Sequence, residues 1–343
     1  HAGVYKLTVK HDSDVPAVDR VSDPLPRVTL AARPQVFAVP AGAINTVWVL
    51  AGHTTPEGQK ALVRKIVNGK QEVEGRATIP DRLAGTPTAT DTAVFLPLAN
   101  GYVYRIGDTF QAVQGPSWRG QDANPDTAVG HLLPAGPDQF FCTDGHTRVY
   151  RYKWKADQAT AEKAGGPWEV NDPITTSPRL CPAGGKTLLL IPGGGEVSAF
   201  DPDRPSPEAL RRWKGAANLK IAADRITHLT VIGQRAVFAT EGNSVVGIDA
   251  EKDWAEWGLT DLPYPEAGDV IGVEAGDGVA YVTYSSGHVR VVTTATGAIA
   301  GEVERAYGAP LAAAPAVPVG TPTRMIVANS DGSLAVAPVL PRR

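Results

Sequence analysis

His146 and His288 each directly follow a glycine, and Asp144 and Asp331 lie beside glycines of the same kind. Histidine near a carboxylate is the pairing that holds a divalent metal or passes protons near neutral pH. The two histidines stand far apart in the chain and no spacing joins them. They read as exposed strand-start residues, and Asp144, Asn243 and Asp331 as turn formers that bond their own backbone. Gly193-Gly194-Gly195 and Gly184-Gly185-Lys186 have the glycines of a phosphate cradle, but a strand pattern follows where a helix N-terminus is needed, so both read as turns. Trp118-Arg119 offers more to a partner. An arginine beside a tryptophan is typical of the energetic centre of an interface, and this pair falls on a connection between strand patterns. Trp154, Trp168, Trp213, Trp254 and Trp257 come late in their units, where packing between units is their expected use.

A repeat carries these residues. A glycine closes an apolar hairpin at Gly58, Gly101, Gly145, Gly195, Gly242, Gly287 and Gly332, at intervals of 43 to 50 residues, which is the length of a four-stranded propeller blade. Residues 93–106 (AVFLPLANGYVYRI), 236–249 (AVFATEGNSVVGID), 279–292 (VAYVTYSSGHVRVV) and 325–336 (MIVANSDGSLAV) share an apolar run, a polar turn with glycine and an alternating run. Tyr102 and Tyr104, Val289 and Val291, and Leu334 and Val336 recur at every second residue, as in a strand with one buried face. Residues 128–133, 174–180, 226–231 and 270–273 supply a preceding inner strand. Residues 110–113, 168–170, 209–213 and 298–303 supply a following outer one. Helical pattern is confined to residues 157–163 and 206–212. The expected fold is an all-β, seven-bladed β-propeller, a single domain over residues 1–343.

The last unit ends without an outer strand, whereas residues 4–10 (VYKLTVK) alternate cleanly ahead of the first inner strand at 36–39. Capture of the N-terminal strand by the last blade would close the ring and remove its open edges. Cys142 ends a second strand before the Gly145 turn, and Cys181 ends an inner strand at the opposite face. At about 3.3 Å per residue the two ends of a short strand lie roughly 15 Å apart, beyond the roughly 7 Å between Cα atoms that a disulfide tolerates. Two buried thiols are expected, and no CxxC or close histidine pair accompanies them for zinc. With a net charge of -3 and no Lys/Arg run longer than two, a nucleic-acid surface is not expected. No apolar segment approaches the roughly 20 residues of a membrane-spanning helix. The chain opens at His1, consistent with removal of a leader or a preceding domain.

The units resemble the propeller repeats of the quinoprotein-like (PQQ-like) superfamily, in which a strand, an Asp-Gly or similar turn, a strand ending near Asp and a Thr-Gly turn follow in order. Residues 281–297 (YVTYSSGHVRVVTTATG) fit best, with 198–201 (SAFD) and 247–249 (GID) as shorter echoes. The resemblance covers most of the chain at the level of period and implies a periplasmic or cell-envelope address. The family's tryptophan after the Thr-Gly turn is absent, since Ala-Ile-Ala-Gly follows Gly297. Its quinone-binding members have eight blades, a calcium site and often a disulfide between adjacent cysteines, and none of these is matched. A quinone needs a cation and a dry slot, so no cofactor and no metal are expected. The WD pattern fits less well, because Asp253-Trp254 is in reversed order and occurs once.

If each inner strand runs down from an upper face, the glycine turns and the connections between blades share that face. The candidate binding residues there are Trp118, Arg119, His131, Asp144, His146, His228, His288, Tyr307 and Asp331. Propellers host many functions, so function must be argued from the face. The leading reading is a noncatalytic, monomeric scaffold that docks a protein or peptide. A second is an enzyme with its site at the channel mouth, either a divergent quinone-dependent dehydrogenase or a hydrolase or lyase. A third is a carbohydrate-binding module with Trp118, Tyr264 and Tyr307 as aromatic platforms.

Overall fold

The computed structural model describes residues 70–303, except 91, 137, 156–159, 205–207 and 261–266, together with the strands outside that span. Side chains are described chiefly between residues 72 and 303. Two compact units are formed: His1–Lys6 with Val18–Glu169, and Leu7–Ala17 with Val170–Arg343.

The first unit holds three meandering antiparallel sheets. Sheet 1 is Gln35–Pro40, Thr46–Thr55, Gly58–Val67 and Lys70–Ile79. Sheet 2 is Thr88–Ala89, Ala93–Pro97, Tyr102–Gly107 and Ala112–Ser117. Sheet 3 is Gly130–Gly136, Gln139–Thr143, Arg148–Lys155 and Thr160–Glu169, with Gly85–Thr86 added in parallel to its first strand. In the second unit, sheet 4 is Arg179–Ala183, Lys186–Gly193, Glu196–Phe200 and Arg211–Lys214. Sheet 5 is Ile226–Ile232, Arg235–Thr240, Val245–Asp249 and Ala255–Leu259. Sheet 6 is Val270–Ala275, Val279–Tyr284, Val289–Thr293 and Ile299–Val303, with Leu340–Pro341 on its last strand. Sheet 7 is Val317–Val319, Arg324–Ala328 and Leu334–Pro338.

Among the described residues, the repeat glycines from Gly58 to Gly287 fall at the junction of the second and third strands of a sheet, as the period requires; Gly332 lies outside the described residues. In sheet 2 that residue, Gly101, takes the expected positive φ of 89°. In sheets 4 and 5 the left-handed position belongs to a neighbour instead, Gly194 (φ 55°) and Asn243 (φ 62°). The first strands of sheets 1, 2 and 3 pack side by side in the first unit, and those of sheets 4, 5 and 6 do so in the second, which is the inner position expected of them.

Cores lie between sheets. Along Ala93–Pro97, Val94 and Leu96 join a cluster with Trp48, Val63 and Ala77 of sheet 1, while Ala93 and Phe95 join one with Phe140, Cys142 and Trp154 of sheet 3. Alternate residues serve opposite faces and both faces are buried, so the strand reads as a continuous apolar run. Sheet 5 repeats this. Phe238 faces the core with Leu190 of sheet 4, and Val237 and Ala239 face that with Val282 of sheet 6.

Three expectations are corrected. Thr160–Lys163, read as helical, belongs to strand Thr160–Glu169, because Lys155 and Glu162 close a hairpin with an ion pair of 2.6 Å and cross-strand pairing overrides local propensity. Arg211 and Arg212 likewise lie in a strand. The N-terminal strand Tyr5–Thr8 pairs with Ala17–Arg20 in a two-stranded sheet, and among the described residues Leu334–Pro338 pairs with Arg324–Ala328 alone. A partner nearby in sequence closes a short loop, whereas one at the other end of the chain costs more chain entropy. The cysteines are as expected: Cys142 and Cys181 are free and buried.

Candidate functional site between sheets 2 and 3

The chain leaving sheet 2 is pinned to that sheet's own middle turn. The Gly101 carbonyl accepts the N–H groups of Trp118 (2.9 Å) and Arg119 (3.3 Å) and the Ser117 hydroxyl (3.1 Å). The Trp118 indole N–H donates to the Leu98 carbonyl at 2.9 Å. Its ring fits between Gly130 and Gly145, where an added Cβ would approach it to 2.9 Å at either position. Trp118 is therefore 2% exposed, and it wedges the joint between sheets 2 and 3 where an exposed anchor was expected. The indole finds more apolar contact against two glycines than on a loop, and the meeting of Trp118 with two glycines of the next sheet has no signature in sequence.

Arg119 stays at the surface of that wedge. Its guanidinium lies 5.4 Å from the Trp118 ring centroid and donates to the Ala99 carbonyl, while its buried Nε has no acceptor among the described residues. The next residue brings the connection against sheet 3. Gly120 N–H donates to the Asp144 carbonyl at 2.8 Å, and a Cβ there would lie 3.0 Å from Asp144 Oδ2. Asp144 is buried, and its Oδ1 accepts the N–H groups of His146 (2.8 Å) and Arg148 (3.0 Å), which is the turn-forming role expected of it.

Between the connection and sheet 3 lies a cleft of about 300 Å³, lined by Trp118, Arg119, Asp122, Asp144, Arg148, Tyr150, Tyr152 and Lys163, with Cys142 in its wall. Arg148 is held by Glu169 at 3.2 Å and Asp122 at 3.9 Å. Lys163 Nζ sits 3.8 Å from the Tyr150 ring centroid. Burial pushes the Cys142 thiol and the Tyr152 phenol up from their ordinary values, so both remain protonated donors at neutral pH. Arg148, Tyr150 and Tyr152 were missed in the sequence, although their spacing of two along one strand is the signal that puts them on one face.

Of the expected site residues, Trp118, Arg119 and Asp144 come together here, and His146 follows Asp144 through the backbone. The others do not join them among the described residues. His131 is buried on the first strand of sheet 3, its Nδ1 3.0 Å from Thr86 Oγ1 and its N–H donating to Thr143 Oγ1 at 2.9 Å. His288, expected at the surface, is 1% exposed with its ring 6.0 Å from that of Tyr284, because sheet 6 turns it inward after Gly287. His228 lies in the second unit, half-buried, with Nδ1 3.0 Å from Thr227 Oγ1, and burial lowers its pKa. Tyr307, Asp331 and Tyr264 lie outside the described residues. Among those residues no three His, Cys, Asp or Glu side chains are placed to share a metal ion, and no helix is long and apolar enough to cross a membrane.

No protein-family model and no curated protein matches the sequence. Solved structures do. BamB from Moraxella catarrhalis is similar with 12% identity and a TM-score of 0.58 over 88% of this chain and 84% of that one. Sqt1 from Saccharomyces cerevisiae is similar with 11% identity and a TM-score of 0.61 over 89% and 96%. The computationally designed Ika8 protein is similar with 10% identity and a TM-score of 0.53 over 90% and 98%. At such identities the likeness is one of fold, and together with the repeated four-stranded meanders it makes this chain an all-β protein of β-propeller fold.

Proposed function

We propose that residues 1–343 form one seven-bladed propeller of PQQ-like type, acting as a noncatalytic scaffold that docks a protein or peptide partner at the cleft between sheets 2 and 3. The meandering sheets, six of them with a described repeat glycine between the second and third strands, and the likeness to BamB, a PQQ-like β-propeller, support the architecture. A cell-envelope address is part of the same proposal and rests on that likeness. The observation that carries the docking role is the cleft itself. It gathers arginine, tyrosine and lysine on rigid strands, and Tyr and Arg are enriched where interfaces concentrate their energy. Of the expected acid–base groups, Asp144 holds its turn through Oδ1 and the His131 ring meets Thr86 Oγ1 through Nδ1.

Site-specific photocrosslinking in the native host tests this. Gln121 lines the cleft and is exposed; Asp108, also exposed, lies in the turn at the opposite end of the sheet 2 strands. A photoreactive side chain at 121 should capture a defined protein that the same group at 108 does not. Capture at both positions alike, or at 108 alone, would overturn the docking role of the cleft.

A further inference from the structure

We infer that the occupant of this cleft is an acidic peptide segment, whose carboxylates bind between Arg119 and Lys163. The inference rests on the docking role proposed for the cleft and adds the chemistry of the partner. The cleft is lined by three cations and two carboxylates; both carboxylates have partners, although the charge of Asp144 still reaches Cys142 and Tyr152. Asp144 Oδ1 takes two backbone N–H groups at 2.8 and 3.0 Å, and Asp122 lies 3.9 Å from Arg148. Arg148 in turn is committed to Glu169 at 3.2 Å. Arg119 and Lys163 are left facing rings, at 5.4 Å from Trp118 and 3.8 Å from Tyr150, with no carboxylate at ion-pair distance among the described residues. The buried Arg119 Nε also has no acceptor among the described residues.

The class of ligand follows from size and charge. A volume of about 300 Å³ is at the low end of small-ligand pockets and admits one or two side chains of an extended segment. Guanidinium and carboxylate match as planar forks, whereas a polyphosphate would call for a larger cluster of cations. With a net charge of -3 over the whole chain, the excess of cations here is local, so it selects a partner at this cleft without attracting polyanions generally.

The test uses the full chain and a fluorescent peptide of alternating Gly and Glu, set against the same peptide with Gln for Glu and one with phosphoserine for Glu. The glutamate peptide should bind at least about tenfold more tightly than the glutamine peptide, with the margin shrinking as salt rises. Arg119→Gln and Lys163→Gln should each weaken it at least about fivefold. Lys163 is exposed, so its variant reads the contact without risk to the fold, and thermal melting confirms that both variants are folded. Equal binding of the glutamine peptide, insensitivity to both substitutions, or tighter binding of the phosphoserine peptide would overturn the inference. Failure of the acidic peptide alongside partner capture at position 121 would sink the acidic chemistry alone; absence of that capture would sink the docking role itself.

Discussion

The joint between sheets 2 and 3 and the joint between sheets 5 and 6 are both wedged by a tryptophan, but the charges around the two wedges are treated differently. Trp257, from the last strand of sheet 5, donates its indole N–H to the Thr294 carbonyl at 2.7 Å. Its ring lies where a Cβ on Gly297 would come within 2.7 Å, so the Thr-Gly turn of sheet 6 receives the tryptophan of the preceding sheet. Trp213 makes the same kind of bond from sheet 4 to Lys252 of sheet 5 at 2.9 Å. Around these wedges the cations meet carboxylates: Arg235 meets Glu256 at 2.9 Å and Asp249 at 3.8 Å, Arg211 meets Asp253 at 3.2 Å, and Lys252 bonds Glu256. Around Trp118, Arg119 and Lys163 meet aromatic rings beside an open cleft. A wedge with its charges paired holds neighbouring sheets together. A wedge that leaves charges unpaired beside a cavity is the arrangement on which the proposed docking role rests.

The largest effect that would test this comparison is loss of a wedge. Trp118→Ala and Trp257→Ala should each lower unfolding stability by about 3–5 kcal/mol, since both rings are almost fully buried. Urea denaturation measures both; a Trp118→Ala protein as stable as wild type would return that residue to the surface role first expected of it. Charge removal should then separate the two joints. Glu256→Gln deprives Arg235 and Lys252 of their shared carboxylate and should cost about 1 kcal/mol, while Lys163→Gln should stay within about 0.5 kcal/mol of wild type. Equal losses would mean that Lys163 is a structural residue like the others.

The smallest effect concerns His228. Burial holds its folded-state pKa below the ordinary 6.5, against the hydrogen bond with the Ile271 backbone that raises it. Below 6.5 the unfolded chain therefore takes up the proton more readily than the folded one, so this contribution to stability is present above that pH and is lost as pH falls through the folded value. Denaturation midpoints from about pH 7 to about pH 5 should drop more steeply for wild type than for His228→Gln. Parallel profiles would show that His228 is as well solvated folded as unfolded.

Much of this protein is written in its sequence, because its dominant signals are local. Residues 93–106 and 279–292 announce hairpins, since alternation and a glycine turn are fixed within a dozen residues by backbone sterics. The period then gives the blade; the burial of Cys142 follows from its place at the end of an apolar strand, and that of Trp213 and Trp257 from their places late in their units, whereas Trp254, read the same way, is 55% exposed. Thr160–Lys163 was misread because its strand exists only through pairing with Tyr152, Lys153 and Lys155 across a hairpin. The candidate site was half legible. Trp118, Arg119 and Asp144 could be picked out by type, and Arg148, Tyr150 and Tyr152 share a face through their spacing. Only the tertiary structure decided that Trp118 turns inward while Arg119 stays out, because that choice depends on Gly130 and Gly145 arriving from another sheet to make room for the indole. The pairing of Tyr5–Thr8 with Ala17–Arg20 is of the same kind, for alternation specifies a strand but leaves its partner to chain entropy and to the edges within reach.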